Sequence, residues 1–352
     1  MRMELLVELT QQVREGAHLD ASQAEQAAHA LASADENPLE KEAFLDALHE
    51  KGETVAEITA FAGVFRTLAL DPGLDQWRSR ALDIVGTGGS GVGGYNISSV
   101  TALITAAAGV PVLKHGNRAV TSKSGTADFL TTLGIPISSD STLLRQSVEE
   151  LNFCFFFAPA FHPAFKEIAP VRKALAMKGK RSLFNILGPL INPARPKRQL
   201  LGVSRADLVA PLAQALTELG LTHGYAVCSQ VMADKVMDEF STAGDNHVAG
   251  IGQLQEQRGT WTPESQGFRR CALDELQGGN PEENVALFQQ MTEGNGRPGL
   301  IDTVCHNAGA ALYIAEAVPS LTEGYDRARE LLLGGEVARW VTKAQTFYRE
   351  LV

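Results

Sequence analysis

Gly86, Thr87, Gly88, Gly89 and Ser90 open a stretch whose residue types suit anion chemistry. Asn96, Ser98 and Ser99 follow, then Lys114, His115, Asn117 and Arg118, then Ser122 and Lys123. From Ile84 to Ala127 there is no Asp or Glu, although the chain holds 41 acids in 352 residues. Average composition would put roughly five acids in a window of this length. Glycine lets backbone N–H groups approach a ligand closely, hydroxyls and amides add donors, and Lys and Arg add charge. Together these are the groups that hold a phosphate or pyrophosphate at the start of a helix.

Two familiar loops fail a closer test. Gly86, Gly88 and Gly91 satisfy GxGxxG, but a dinucleotide site needs an acid about 20 residues on for the ribose hydroxyls, and the acid-free window excludes one. No GxxxxGK[ST] occurs, so a Walker loop is absent as well. What remains is a glycine loop that meets an anion with its backbone.

The elements that must position this loop can be read from periodicity. Residues 1 to about 70 predict helices only: Glu4–Val13, Ala21–Ala32 and Lys41–Leu48 carry apolar residues at three-to-four spacing. Thr54 with Glu57 forms a capping-box pattern that opens a helix through Leu68, and Asp71-Pro72-Gly73 stops it. After Trp77, short apolar runs at 81–85, 110–113, 153–157, 200–203 and 225–228 predict strands with helices between, the first helix spanning 98–108. Strand, glycine loop, helix, strand is the unit of a parallel α/β sheet. Residues 250–279 read as strands and turns, and helix returns from 282 to the end. The expected fold is α/β: a helical domain over 1–75, with part of 161–196 packing onto it, and a larger α/β domain over 76–352 with a mostly parallel central sheet.

A net charge of −10 argues against a general nucleic-acid or anionic-membrane binder, while a local cationic cleft still admits an anionic substrate. Cys154, Cys228, Cys271 and Cys305 show neither CxxC nor finger-like spacing, so buried thiols are expected rather than zinc or disulfides. The N-terminus does not read as a signal peptide and no run of 18 apolar residues occurs, which points to a cytoplasmic protein.

The window and several later segments together resemble the anthranilate phosphoribosyltransferases. The segments are 83–89 (DIVGTGG), 96–99 (NISS), 114–118 (KHGNR), 124–128 (SGTAD) and 184–193 (FNILGPLINP), with Asp238-Glu239 and Asn307-Ala308. They run in order from about residue 40 to the C-terminus, and KHGNR with FNxLGPLxNP is the specific combination. The resemblance implies transfer of the phosphoribosyl group of phosphoribosyl pyrophosphate (PRPP) to the amine of anthranilate, in tryptophan biosynthesis. It further implies that Gly86–Gly89 with Ser90, Asn96, Ser98, Ser99, Lys114 and Ser122 bind PRPP. Ser98, Asp238 and Glu239 would hold magnesium, two ions being implied. Gly86, His115, Asn117, Pro159, His162 and Arg172 would line the anthranilate site, with Asn117 and Arg172 positioning the acceptor and no general base. A homodimer is implied, with small molecules rather than nucleic acid or membrane as partners.

Taken singly, some of these residues have plainer readings. Asp238-Glu239 also reads as a solvated helix start, Arg172-Lys173 as a solvated helix face, and His115 and His162 as core histidines. The chain also departs from the family pattern. Ser90 stands where the glycine loop usually carries Asp, and residues 92–95 (VGGY) replace a more polar approach to Asn96. About three extra residues lie between Arg172 and Phe184, and residues 228–237 lack the usual His-Gly. A transferase or phosphorylase of the same fold with another acceptor, or a non-catalytic paralogue, are the alternatives these departures keep open.

Overall fold

The computed structural model describes residues 5–89, 92, 94–119 and 123–351. Four helices come first: α1 (Leu5–Arg14), α2 (Ala21–Ala32), α3 (Pro38–Lys51) and α4 (Val55–Thr67). Local chemistry sets their ends. Asp20 with Gln23 caps α2, Thr54 with Glu57 caps α4, and α3 starts on Pro38 behind Asn37 and stops at Gly52 with φ +87°. Glu57 does more than cap. Its carboxylate accepts the Leu19 N–H at 2.9 Å and pairs with Lys51 at 2.7 Å, tying the starts of α2 and α4 to the end of α3.

The helices bury Leu6, Leu9, Phe44, Leu48, Ile58, Phe61 and Phe65 in one cluster. Val171 and Leu175, from the helix Ala169–Met177, and Phe184 and Leu187 join that cluster. Phe65, Phe165 and Phe184 meet edge to face with ring centroids 5.3–5.4 Å apart. The later segment thus shares a core with the first four helices.

The sheet comprises β1 (Leu82–Gly86), β2 (Val112–Gly116), β3 (Phe153–Phe157), β4 (Arg198–Gly202), β5 (His223–Met232), β6 (Lys235–Met237), β7 (Asp245–Gly252) and β8 (Arg258–Trp261). Its order is β3-β2-β1-β4-β5-β7-β8, with β6 paired to β5. The first five strands in that order are parallel, and β6, β7 and β8 pair antiparallel. One core cluster covers one face of the parallel part, and two share the other, one behind β4 and β5 and one behind β2 and β3, which is why its strands read as short unbroken apolar runs.

Helix α5 (Ile97–Ala107) crosses from β1 to β2 and is buried on nearly every side, hence its small residues. The registers Gly86↔Gly202 and Gly116↔Phe157 bring the C-terminal ends of β1, β2, β3 and β4 to one level. The apolar run at 225–228 proves to be the centre of a ten-residue strand. β6 and β7 begin with polar residues and form because their backbones pair with β5, a signal absent from periodicity. Among the described residues, no helix is long and apolar enough to cross a membrane.

Candidate active site

β1 and β4 end side by side, and the glycine loop starts there. Thr87 N–H donates to the Gly202 carbonyl at 2.9 Å, and the Thr87 hydroxyl meets Ser204 Oγ at 3.1 Å. Gly88 and Gly89 lie at φ +71° and +80°, where a side chain would be strained. Gly88 N–H then donates to the Asp238 carboxylate at 2.8 Å. A methyl group at Gly86 would collide with that carboxyl group, and one at Gly202 with the Asp238 carbonyl.

Asp238 arrives from the β5–β6 hairpin, the stretch in which the family's His-Gly is missing. Glu239 follows it and accepts the Ser98 N–H at 3.1 Å in the first turn of α5. Adjacent carboxylates therefore occupy N–H groups of the glycine loop and of the helix start. They are not a solvated helix start: Phe240 follows directly and is clamped, its N–H received and its carbonyl bonded by the Asn307 side chain at 3.1 and 2.7 Å.

Beneath lies a buried charged layer. Lys114 is 1% exposed, and its ammonium donates to the Ile84 carbonyl and, at 3.4 Å, to Ser98 Oγ. Burial lowers its pKa to about 8, against the attraction of Asp83 and Glu239. Asp83, fully buried, accepts the His115 N–H at 3.2 Å, and burial raises its pKa to about 6. Burial first, and then Asp238, push Glu239 well above the ordinary carboxylate range. Lys114 thus lies under the loop, against the Ser98 hydroxyl, rather than at the surface.

Two clasps hold the flanking loops. The Asn96 side chain accepts the Ser124 hydroxyl at 2.8 Å and the Asn284 amide at 2.7 Å, and donates to the Ser124 carbonyl at 3.2 Å. Asp128 gathers the N–H groups of Ala119 (2.9 Å) and Gly125 (3.1 Å) and the Arg118 guanidinium (2.9 Å). Asn117 sits within this second loop, its Oδ1 accepting the Arg118 N–H at 2.8 Å. Ser99 is buried against Thr126 at 3.3 Å. Ser90 and Ser122 lie outside the described residues.

At the end of β2, His115 and His162 meet Nε2 to Nε2 at 3.2 Å, both 4% exposed. Burial lowers His115 well below its ordinary pKa and His162 to about 4, so the pair is neutral at pH 7, one ring donating to the other. Pro159 is exposed in the short helix Ala158–Phe161 just before it. Arg172 is exposed on the helix Ala169–Met177, and among the described residues its guanidinium has no ion-pair partner. Nearby Lys178 pairs with Glu42, and Lys180 with Asp46 at 2.6 Å and Glu50 at 3.1 Å. The extra residues after Arg172 therefore pin its helix to α3.

Comparison with known proteins matches this arrangement along nearly the whole chain. Residues 78–338 match the a/b domain of a glycosyl transferase family, and residues 7–69 match that family's helical bundle domain. Anthranilate phosphoribosyltransferase from Parvibaculum lavamentivorans is 42% identical over 94% of this chain and 93% of its own. The chain belongs to the anthranilate phosphoribosyltransferase family. The Thermus thermophilus member is 40% identical over 95% of this chain and 97% of its own. A crystal structure of the enzyme from that organism superposes with a TM-score of 0.87 at 39% identity, covering 97% of this chain and 99% of that one. Anthranilate phosphoribosyltransferase from Saccharomyces cerevisiae, in complex with PRPP and Mg, shares the fold at a TM-score of 0.78 and 23% identity, covering 98% of each chain.

Set within this family, the structure adds residues to those the sequence suggested. Gly202, Ser204, Asp128, Asn284 and Asn307 shape the site without having been singled out for roles in it. Asp128 carried a signal, three residues past Gly125 at capping-box spacing. Asn284 carried none, because its partner Asn96 is 188 residues away in sequence.

Proposed function

We propose that this chain transfers the phosphoribosyl group of PRPP to the amine of anthranilate, giving N-(5-phosphoribosyl)anthranilate and pyrophosphate. One observation carries the reading: the acidic pair Asp238-Glu239 packs against the glycine loop and the start of α5, with Asp238 150 residues from its Gly88 partner in sequence. Hard oxygen ligands and anion-binding N–H groups thereby share one place. The glycine loop, Asn96, Ser98, Ser99, Lys114 and Ser122 serve PRPP. His115, Asn117, Pro159, His162 and Arg172 serve anthranilate beside Gly86.

Asp238, Glu239 and the Ser98 hydroxyl suit magnesium, which takes few carboxylates and completes its shell with water and substrate phosphates. No group of three or more His, Cys, Asp or Glu that could cage a metal occurs among the described residues, in keeping with a metal held jointly with substrate. Two ions fit the donor set together with a pyrophosphate. Bound there, the metal would neutralise charge on the departing pyrophosphate.

The chain's own residues do the rest. The amine lone pair attacks C1′ as the C1′–O bond to pyrophosphate breaks, and the amine loses a proton to solvent. Backbone N–H groups of the loop and the Lys114 charge beneath them stabilise the leaving group. Asn117 and Arg172 fix the acceptor, Arg172 with a planar fork suited to a carboxylate. The His115–His162 pair, neutral and mutually bonded, shapes the acceptor wall and needs no role as a base.

We further assign 1–75 with part of 161–196 to a helical domain and 76–352 to the transfer domain, in a cytoplasmic homodimer. Anthranilate fluorescence tests the reaction. With PRPP and magnesium the signal should decay, and EDTA should stop the decay. No decay with PRPP binding retained would shift the assignment to another acceptor, and loss of both would exclude phosphoribosyl transfer.

A further inference from the structure

At the opposite end of the parallel strands, four cations interlock. Arg66 lies in the last turn of α4, Arg78 precedes β1, and Arg195 and Lys197 lead into β4. Arg195 donates to the Arg66 carbonyl at 2.7 Å, Arg78 Nε to the Arg195 carbonyl at 2.9 Å, and Lys197 N–H to the Arg78 carbonyl at 2.9 Å. Arg66 donates to the carbonyls of Leu190 (2.6 Å) and Leu219 (3.4 Å), and the Lys197 ammonium to that of Gly220 (2.7 Å). Among the described residues, no carboxylate pairs with any of the four. The acid that acts on Arg66, Asp83, is fully buried and also attracts Lys114.

Part of this charge has an internal answer. The C-terminal ends of α4 and of the helix Val209–Glu218 face the cluster, and each contributes about half a negative charge. Four cations against two half-charges leave a surplus of roughly three. The chain as a whole is acidic, so this surplus is local. Arg66 is buried, whereas Arg78, Arg195 and Lys197 are partly open to solvent. Arg78 keeps both terminal nitrogens, and Arg195 and Lys197 keep further donors, without partners among the described residues.

We propose that this corner, between the end of α4 and the starts of β1 and β4, binds a phosphate-bearing anion. Guanidinium forks and an ammonium from separate segments, with several unpaired charges, match a multivalent tetrahedral oxyanion better than a single carboxylate. The five residues of β1 separate the corner from the glycine loop by roughly 15 Å, so it is a second site.

The test is titration of the full-length protein with inorganic phosphate at constant ionic strength, comparing wild type with Arg78→Gln/Lys197→Gln. The variant should bind phosphate at this site at least roughly tenfold more weakly while kcat and the KM for PRPP stay unchanged. Equal phosphate binding by both proteins, or a stabilisation that chloride reproduces at the same ionic strength, overturns the proposal. Should the variant fail to fold, selenate-soaked wild-type crystals decide. Anomalous density between Arg78 and Lys197 supports the site, and density at the glycine loop alone refutes it.

Discussion

Arg172 carries a role that kinetics can test at the scale of one residue. It is exposed on its helix, its guanidinium, like the ammonium of the adjacent Lys173, has no ion-pair partner among the described residues, and Lys178 and Lys180 further on are paired. Arg172→Ala should raise the KM for anthranilate at least roughly tenfold and leave the KM for PRPP nearly unchanged, since a charge-assisted pair supplies roughly 1.5–3 kcal/mol. Steady-state kinetics in both substrates would check this, and equal effects would remove the role. Ser90, where the family usually has Asp, calls for the complementary change: Ser90→Asp should lower the KM for PRPP. His306 carried no sequence signal. It is 0% exposed, both ring nitrogens lack hydrogen-bond partners among the described residues, and Phe240, Phe268 and Tyr325 surround it at centroid distances of 4.6–5.2 Å. Burial lowers its pKa from 6.5 to about 3. A lowered folded pKa means that the unfolded chain takes up the proton first. Stability therefore falls as pH drops from about 6.5 toward 3, by up to about 1.4 kcal/mol per pH unit from this group. His306→Phe should remove that slope and match or exceed wild-type stability at pH 7, as measured by urea unfolding across pH.

At the scale of elements, local grammar carried far. The capping box at Thr54 and Glu57 forms as its spacing indicated, and the stop at Asp71-Pro72-Gly73 ends α4. The spacing did not reveal that the Glu57 carboxylate also receives Leu19 and Lys51. Burial alone would raise its pKa, but Lys51 and the N–H donors hold it below the ordinary value. Glu57→Gln should cost about 3 kcal/mol by leaving the buried Lys51 charge without its partner. Chemical denaturation would show it, and a loss below ~1 kcal/mol would mean that Lys51 reaches water. Gly86 ends a strand for a reason no single element contains, because its missing side chain makes room for the Asp238 carboxylate. Gly86→Ala should therefore raise the magnesium concentration needed for half-maximal rate while leaving the melting temperature close to wild type. A metal titration of activity reads this directly.

For the whole molecule, the family was legible in the resemblance of whole segments, while residue types and short-range spacing determined the helical first segment and the parallel α/β unit and suggested an anion site within 84–127. These follow from side-chain size, hydrogen-bond inventory and periodicity, each a property of neighbouring positions. The same information did not give the layering. Lys114 lies beneath the loop, and the loop's N–H groups, in a window free of acids, meet Asp238 and Glu239 from a hairpin that periodicity did not reveal. Strands β6 and β7 exist because β5 offers them backbone partners, and Asn96 is oriented by Asn284 from the far end of the chain. Only the tertiary structure could decide these points. Burial depth, desolvation and hydrogen bonds between residues 150 or more apart arise from packing, and no local spacing records them.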